Sequence, residues 1–259
     1  MIKIERSRYP QFIPQAAASP CNRVYPCSIA EGRQAGDIFV SEGGDPAVLF
    51  WHRCGFGYLS GAATERFLEE ILYEAASSET GRRLLLITND ETARRFCAFR
   101  GIAAGERIEY VWKRLETGLS APEGIMLVPL DPELLMHLRG RITPRFSWES
   151  PERFLSGGFG FAALDGEAVC GAAFSAAVST EETDIGVEVA EEYRNRGIAS
   201  ALARAMCSEI LHRGKRPVWA HAASNAASRR TALHCGFTEI RRNACFLIQN
   251  AQNDWNGGN

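Results

Sequence analysis

The chain has no Cys-x-x-Cys pair among its eight cysteines, and no histidine stands at ligand spacing from two of them, so a structural zinc site is not expected. No apolar stretch reaches the roughly 18 residues that a membrane-spanning helix needs. The first dozen residues carry Lys3, Glu5, Arg6 and Arg8 where a secretory leader would have an apolar core. An excess of positive charge is missing too. The 29 Lys and Arg are balanced by 31 Asp and Glu, a formal charge of -2, which argues against a surface that tracks phosphates along a nucleic acid. There is no low-complexity run and no short tandem repeat. These absences read as a cytoplasmic, reduced protein that binds neither nucleic acid nor membrane and holds no metal.

What is present is an ordinary globular composition, 46% hydrophobic and 23% charged, in 259 residues. That length fits one large α/β domain or two of common size. Residues 1 to about 35 are rich in Pro and Ala with weak periodicity. Strand-like runs follow at Asp37 to Val40 and Ala47 to Trp51, then a helical pattern at Thr64 to Ala76. Arg83 to Thr88 reads as a strand, Asn89 or Asp90 caps a helix through Phe99, and Arg107 to Leu115 alternates as a strand. The segment ETGLSAPEG, residues 116–124, is the best linker candidate and divides the chain into 1–118 and 119–259.

The second part is more regular. Short helices are expected at Asp131 to Leu138 and Trp148 to Leu155. Asp165-Gly166 marks a tight hairpin between strands Phe159 to Leu164 and Ala168 to Ala177. Thr183 to Val189 is a strand, Gly197 to His212 a helix whose apolar arc is interrupted by Glu209, and Pro217 to His221 a strand. Asn225 to Cys235 is a helix stopped by Gly236, with a last strand from Phe237. The tail after Gln249 reads as frayed.

The chemistry concentrates in DIGVEVAEEYRNRGIASALARAM, from Asp184. A β-branched strand is followed by Arg194-Asn195-Arg196-Gly197-Ile198-Ala199 and at once by a helix. A helix start carries unpaired N–H groups and partial positive charge, which an anion such as a pyrophosphate satisfies. Gly197 and the small Ala199 let phosphates come close to the backbone, while Arg194 and Arg196 add charge at the rim. Taken alone, this is also what a plain strand–turn–helix with a bend glycine looks like. The second stretch, NAASRRTALHCGF from Asn225 to Phe237, adds specificity.

The R-x-x-G-x-A turn, the strand before it, and N-x-x-S with Gly-Phe closing the next helix together resemble the GNAT superfamily of acyl-CoA-dependent N-acyltransferases, over about Phe159 to Ile248. The resemblance implies an α/β fold with a mixed, V-shaped sheet. The strand ending at Val189 splays from the one at Val218, and acetyl-CoA lies in the gap. It implies that the backbone at Val187 and Val189 pairs with the pantetheine arm, that the amides of residues 194–199 hold the pyrophosphate, and that Asn225 and Ser228 contact the pantetheine and thiol. The N-terminal part is more faintly similar to the accessory domain of the branch that includes zwittermicin-resistance-type acetyltransferases, through GDIFV, the apolar strand to Trp51, and LSG before a helix. That likeness implies a degenerate GNAT-like half that binds no coenzyme and helps wall the acceptor site.

Acyl transfer to an amine needs a base, because the neutral amine is the nucleophile. Glu188 is the leading candidate, on the strand face opposite Val187 and Val189, with Asp184 on the same face but further from the turn. For the departing thiolate, Ala232 stands where many family members carry a Tyr, and His234 lies two residues on and around the helix from that position; the likeness to N-x-x-S branches, in which a serine hydroxyl reaches the thiol, implies Ser228 as the candidate acid. Trp219 and His221 share one strand face and are candidates for the acceptor pocket or the core. The readings that remain are an N-acetyltransferase acting on a primary amine of a small molecule, a coenzyme-binding sensor or partner-binding module without catalysis, and an unrelated α/β domain with a fortuitous turn. The acceptor and the oligomeric state, monomer or homodimer, are left open.

Overall fold

A computed structural model describes residues 1–44, 46–77, 82–113 and 121–248. The expected division at 118/119, most of the linker and the expected frayed tail lie outside the described residues. The first part of the chain supplies β1 (Ile2–Lys3), α1 (Ile13–Ala17), α2 (Val24–Ala30), β2 (Gly36–Val40), β3 (Val48–His52), β4 (Phe56–Ser60), α3 (Glu65–Ser77), β5 (Leu84–Thr88), α4 (Glu91–Phe99) and β6 (Ala104–Trp112). The second supplies β7 (Ile125–Pro129), α5 (Pro132–His137), α6 (Pro151–Gly157), β8 (Gly160–Asp165), β9 (Ala168–Val178), β10 (Glu182–Val189), α7 (Ile198–His212), β11 (Arg216–Ala222), α8 (Ala226–His234) and β12 (Phe237–Ile248). The element order repeats: in each part an antiparallel run of strands leads to a helix, a parallel strand, a second helix and a last antiparallel strand.

All twelve strands form one mixed sheet in the order β1-β2-β3-β4-β5-β12-β6-β11-β10-β9-β8-β7. The last strand of each part is exchanged. β12 lies between β5 and β6, and β6 lies between β12 and β11. Ile108, for instance, pairs with His221 on one side and Arg242 on the other. Neither part completes its own share of the sheet.

Local choices follow familiar rules. Asp90 Oδ1 accepts from Ala93 N at 2.8 Å and Asp131 Oδ1 from Leu134 N at 2.8 Å, each capping a helix. Gly166, at φ 60, makes the tight turn between β8 and β9. α7 buries Ile198, Leu202, Met206 and Ile210 against a core that includes Ile185, Val189 and Trp219. Glu209 interrupts that arc at little cost, because its carboxylate pairs with Arg213 one turn on at 2.7 Å. α2 differs from the sequence expectation of a loosely patterned N-terminus. All seven of its residues are buried, and it packs on β3, β9 and β10. A helix covered on every side shows no amphipathic period to read.

Candidate active site

β10 and β11 run parallel and pair only through Glu182, Thr183 and Asp184, opposite Arg216, Pro217 and Val218. Both strands then continue, to Val189 and Ala222, without pairing. The divergence coincides with a bulge. Asp184 faces Ala177 of β9 while Ile185 faces Ser175, so Ala176 is the extra residue and the strand bends away. The free edge of β10 has a definite polarity. The Glu182 carbonyl accepts from Ser179 N and the Ala190 N–H donates to Cys170 O, each at 2.9 Å, so even-numbered residues direct their backbone towards β9. Val187 and Val189 therefore turn their N–H and C=O groups into the gap.

At the open end of β10 a single turn of 3₁₀ helix, Glu191–Tyr193, leads to Arg194 and the start of α7. Asn195 sits at φ 61, the one non-glycine residue with positive φ among those described, and Gly197 at φ 84. Alternating left-handed positions turn successive N–H groups to one side, which makes an anion-binding hollow. Gly197 caps α7 with no side-chain acceptor. Among the described residues, no backbone carbonyl or side chain accepts from the N–H groups of residues 195–200. A β-carbon on Gly197 would meet nothing closer than Pro122 at 3.9 Å, so its backbone angle and not crowding calls for glycine. The corresponding helix of the first part, α3, is closed instead by Thr64, whose Oγ1 accepts from Phe67 N at 3.2 Å.

The space around this turn, about 430 Å³, is lined by Val189, Asn195, Gly197, Ala199, Ala227 and Thr231, with His234 exposed at its edge. Beside it along β10 and α8 runs the splay cleft, about 650 Å³, whose lining includes Val187, Asn225 and Ser228. Asn225 caps α8, its Oδ1 accepting from Ser228 N at 2.9 Å, and no described residue accepts from its Nδ2. Trp219 Nε1 donates to Ser228 Oγ at 3.0 Å. That bond occupies an acceptor position on the hydroxyl and leaves its proton to be donated elsewhere. Ala232 is fully buried beneath α8, so a side chain at that position points into the core and not into the cleft.

Deeper in the cleft lies Asp184, 3% exposed. Tyr25 of α2 donates to its Oδ2 at 2.8 Å, while Oδ1 has no partner among the described residues. Burial pushes its carboxyl up to about 7; the Tyr25 hydrogen bond and the Arg107 guanidinium pull the other way, and Glu109 adds to the rise. His221 also faces the cleft. Its Nδ1–H donates to Ala222 O at 2.8 Å, so Nε2 accepts from Tyr110 at 3.1 Å, and burial lowers its pKa. Glu188 is placed differently. It lines a separate cavity beside β10, its Oε2 accepts from Ile142 N at 3.0 Å, and its stem packs under Gly140. Arg194 turns back to donate to Val189 O at 3.2 Å, and Arg196 lies 5.1 Å over the Tyr193 ring.

Tyr25, Arg107 and Tyr110 escape sequence reasoning because they come from the first part of the chain and reach the cleft only through α2 and the exchanged β6. Among the described residues no group of three or more His, Cys, Asp and Glu is placed to hold a metal, and no helix is long and apolar enough to cross a membrane.

A splayed sheet with an uncapped, anion-ready helix start at its open end is an architecture suited to an acyltransferase. A family model described as GNAT acetyltransferase matches residues 22–246, and the chain belongs to that family. It is an acyltransferase enzyme with N-acetyltransferase relatives. An uncharacterized N-acetyltransferase of Bacillus subtilis (strain 168), YdfB, is 26% identical over 236 residues, covering 89% of this chain and 84% of the relative. The fold is shared with a GCN5-related N-acetyltransferase-like protein from Streptococcus suis, at 20% identity and TM-score 0.71, over 93% of this chain and 99% of that one. It is shared also with a tandem GNAT protein from the clavulanic acid biosynthesis pathway, at 14% identity and TM-score 0.60, over 96% and 95%.

Proposed function

We propose that the protein transfers an acetyl group from acetyl-CoA directly to a primary amine of a small molecule in the cytoplasm. The observation that carries this is the meeting of two backbone surfaces: the edge of β10 at Val187 and Val189, unpaired with β11 and met only by Arg194 at the Val189 carbonyl, and the N–H groups of residues 195–200, which find no acceptor among the described residues. A pantetheine arm with its pyrophosphate is complementary to both. Bound there, acetyl-CoA supplies an activated acyl thioester. Residues 1–118 serve as the accessory half that walls the acceptor side, and residues 119–259 as the half that holds the coenzyme. Eight buried, unpaired cysteines fit a reducing compartment.

In this reading the N–H groups of residues 195–199 hold the pyrophosphate, with Arg194 and Arg196 screening it. Val187, Val189 and the Asn225 amide hold the arm. Asp184 is the base. It is buried at the point of divergence, one carboxylate oxygen is unclaimed, and a pKa of about 7 suits it to take a proton near neutral pH. Glu188, the candidate on sequence grounds, instead ties the 138–142 segment to β10 through Ile142. Ser228, aligned by Trp219, donates its proton to the departing thiolate. Acyl transfer then forms the amide bond and breaks the thioester bond. The amine proton goes to Asp184, and the sulfur receives one from Ser228, which solvent replenishes.

Calorimetric titration with CoA and a thiol-release assay over a panel of amines test the proposal. Micromolar binding and turnover of at least one primary amine are expected. Absence of binding at millimolar CoA would sink it.

A further inference from the structure

Beyond the divergence point the cleft opens towards the first part of the chain. Its walls there are Tyr25, Cys54, Phe56 and Phe146, and its charged residues are Arg83, Arg107 and Arg141 against the single acid Asp184. Arg23, Arg66, Arg95, Arg213, Arg216, Arg241 and Arg242 all lie within 4.0 Å of a carboxylate. Among the described residues no carboxylate comes that close to Arg83 or Arg107. The Arg107 guanidinium is instead held over the Phe56 ring, 4.5 Å from its centroid, and makes a long contact of 3.4 Å with Ala220 O. Glu109, next but one on β6, does not fill the need. Its carboxylate is taken by Asn22 N at 2.5 Å, by the Asn243 amide, and by Arg241 at 3.8 Å.

A guanidinium stacked on an aromatic ring, shielded on one side and with no carboxylate partner among the described residues on the other, is a ready fork for an oxyanion. The same cavity wall continues past Cys54, Arg83 and Phe146 into a neighbouring space where Arg145 is also without a carboxylate partner among the described residues. One carboxylate deep in the cleft and arginines nearer its mouth form the complement of a zwitterion.

Resting on the acetyltransferase reading above, we infer that the acceptor is a small amine carrying an oxyanionic group, a carboxylate or a phosphate. Its amine is drawn to Asp184 and its anion to Arg107 and Arg83. Polyamines and polycationic sugars meet Arg83 and Arg107 on the way in and are disfavoured.

The experiment measures kcat/KM with acetyl-CoA for matched acceptors: β-alanine against β-alaninamide, L-glutamate against L-glutamine, phosphoethanolamine against ethanolamine, and spermidine alone. At least one anionic member should exceed its neutral partner tenfold or more, with spermidine below both; whether β-alanine and glutamate or phosphoethanolamine wins separates carboxylate from phosphate. Arg107→Met should shrink that preference at least fivefold, mainly through the acceptor KM. The exposed Arg83→Gln, which disturbs no core contact, should shrink it in the same direction. Equal or better turnover of the neutral or polycationic amines by the parent protein overturns the inference and leaves the acetyltransferase reading standing. If CoA binds but no amine in the panel or in a wider set reacts, the reading itself falls and takes the inference with it.

Discussion

Asp184 carries the sharpest expectations at the scale of single residues. If it is the base, kcat/KM should rise with pH through about 7 and level off, and Asp184→Asn should lower it by about 10²-fold or more at pH 8. The same substitution should stabilise the fold. The carboxyl ordinarily titrates at 3.8 and folding lifts it to about 7, so between those values the folded chain keeps a proton that the unfolded chain has lost. Stability therefore falls as pH rises across that window, and an amide in place of the carboxyl removes the loss while still accepting from Tyr25. Melting curves at pH 5 and pH 8 read this directly: the variant's advantage should appear at the higher pH. Glu188→Gln, which keeps an acceptor for Ile142 N, should retain activity within a few-fold; a loss as large as that of Asp184→Asn would return the base to Glu188.

Ser228 and Trp219 form a second residue-scale unit. Ser228→Ala should lower kcat about tenfold with little change in KM for acetyl-CoA, and Trp219→Phe, which removes only the aligning N–H, should move kcat the same way by less. Equal catalysis by a Ser228→Ala enzyme in pre-steady-state thiol release would remove the proposed acid. Legibility in the sequence divides along the same line. Ser228 and Asn225 are visible because a cap and a hydroxyl sit in one short motif. Alternation puts Asp184 and Glu188 on one face, and Asp184 is the weaker in the sequence because it lies further from the turn; the bulge at Ala176 and the burial by α2 are not visible there.

Among elements, the turn into α7 is the part best read from the sequence, since Gly197, the flanking arginines and the strand before it all lie within a few residues. Its backbone makes a clear prediction. Gly197 is held at φ 84, where a β-branched side chain is strained by about 1–3 kcal/mol. Gly197→Val should raise the dissociation constant for CoA more than tenfold by calorimetry, while Asn195→Gly, at φ 61, should change it only a few-fold. The helices over 65–77, 91–99, 198–212 and 226–234 follow from apolar period and caps within a residue or two. α2, β4 and β7 do not. α2 and β4 are buried on all sides and show no alternation that marks a surface element.

At the scale of the whole molecule, the two parts are bound by their exchanged strands. Since β12 completes the first part and β6 the second, calorimetry of the intact protein should show one cooperative transition; two well-separated transitions would mean that the halves hold together independently of the exchange. No local pattern announces this, because strand pairing across more than a hundred residues leaves no periodic trace in the chain. Most elements of each part can be followed one by one along the chain, but the order of neighbours in the sheet cannot.

The exchange also has a cost during synthesis. As the polypeptide leaves the ribosome, β5 and β6 emerge well over a hundred residues before β12, the strand that must slot between them. Until β12 is translated, a nascent chain of this protein carries open hydrogen-bonding edges in both of its unfinished sheets. Truncation by even the last dozen described residues should leave a chaperone client and not a smaller enzyme.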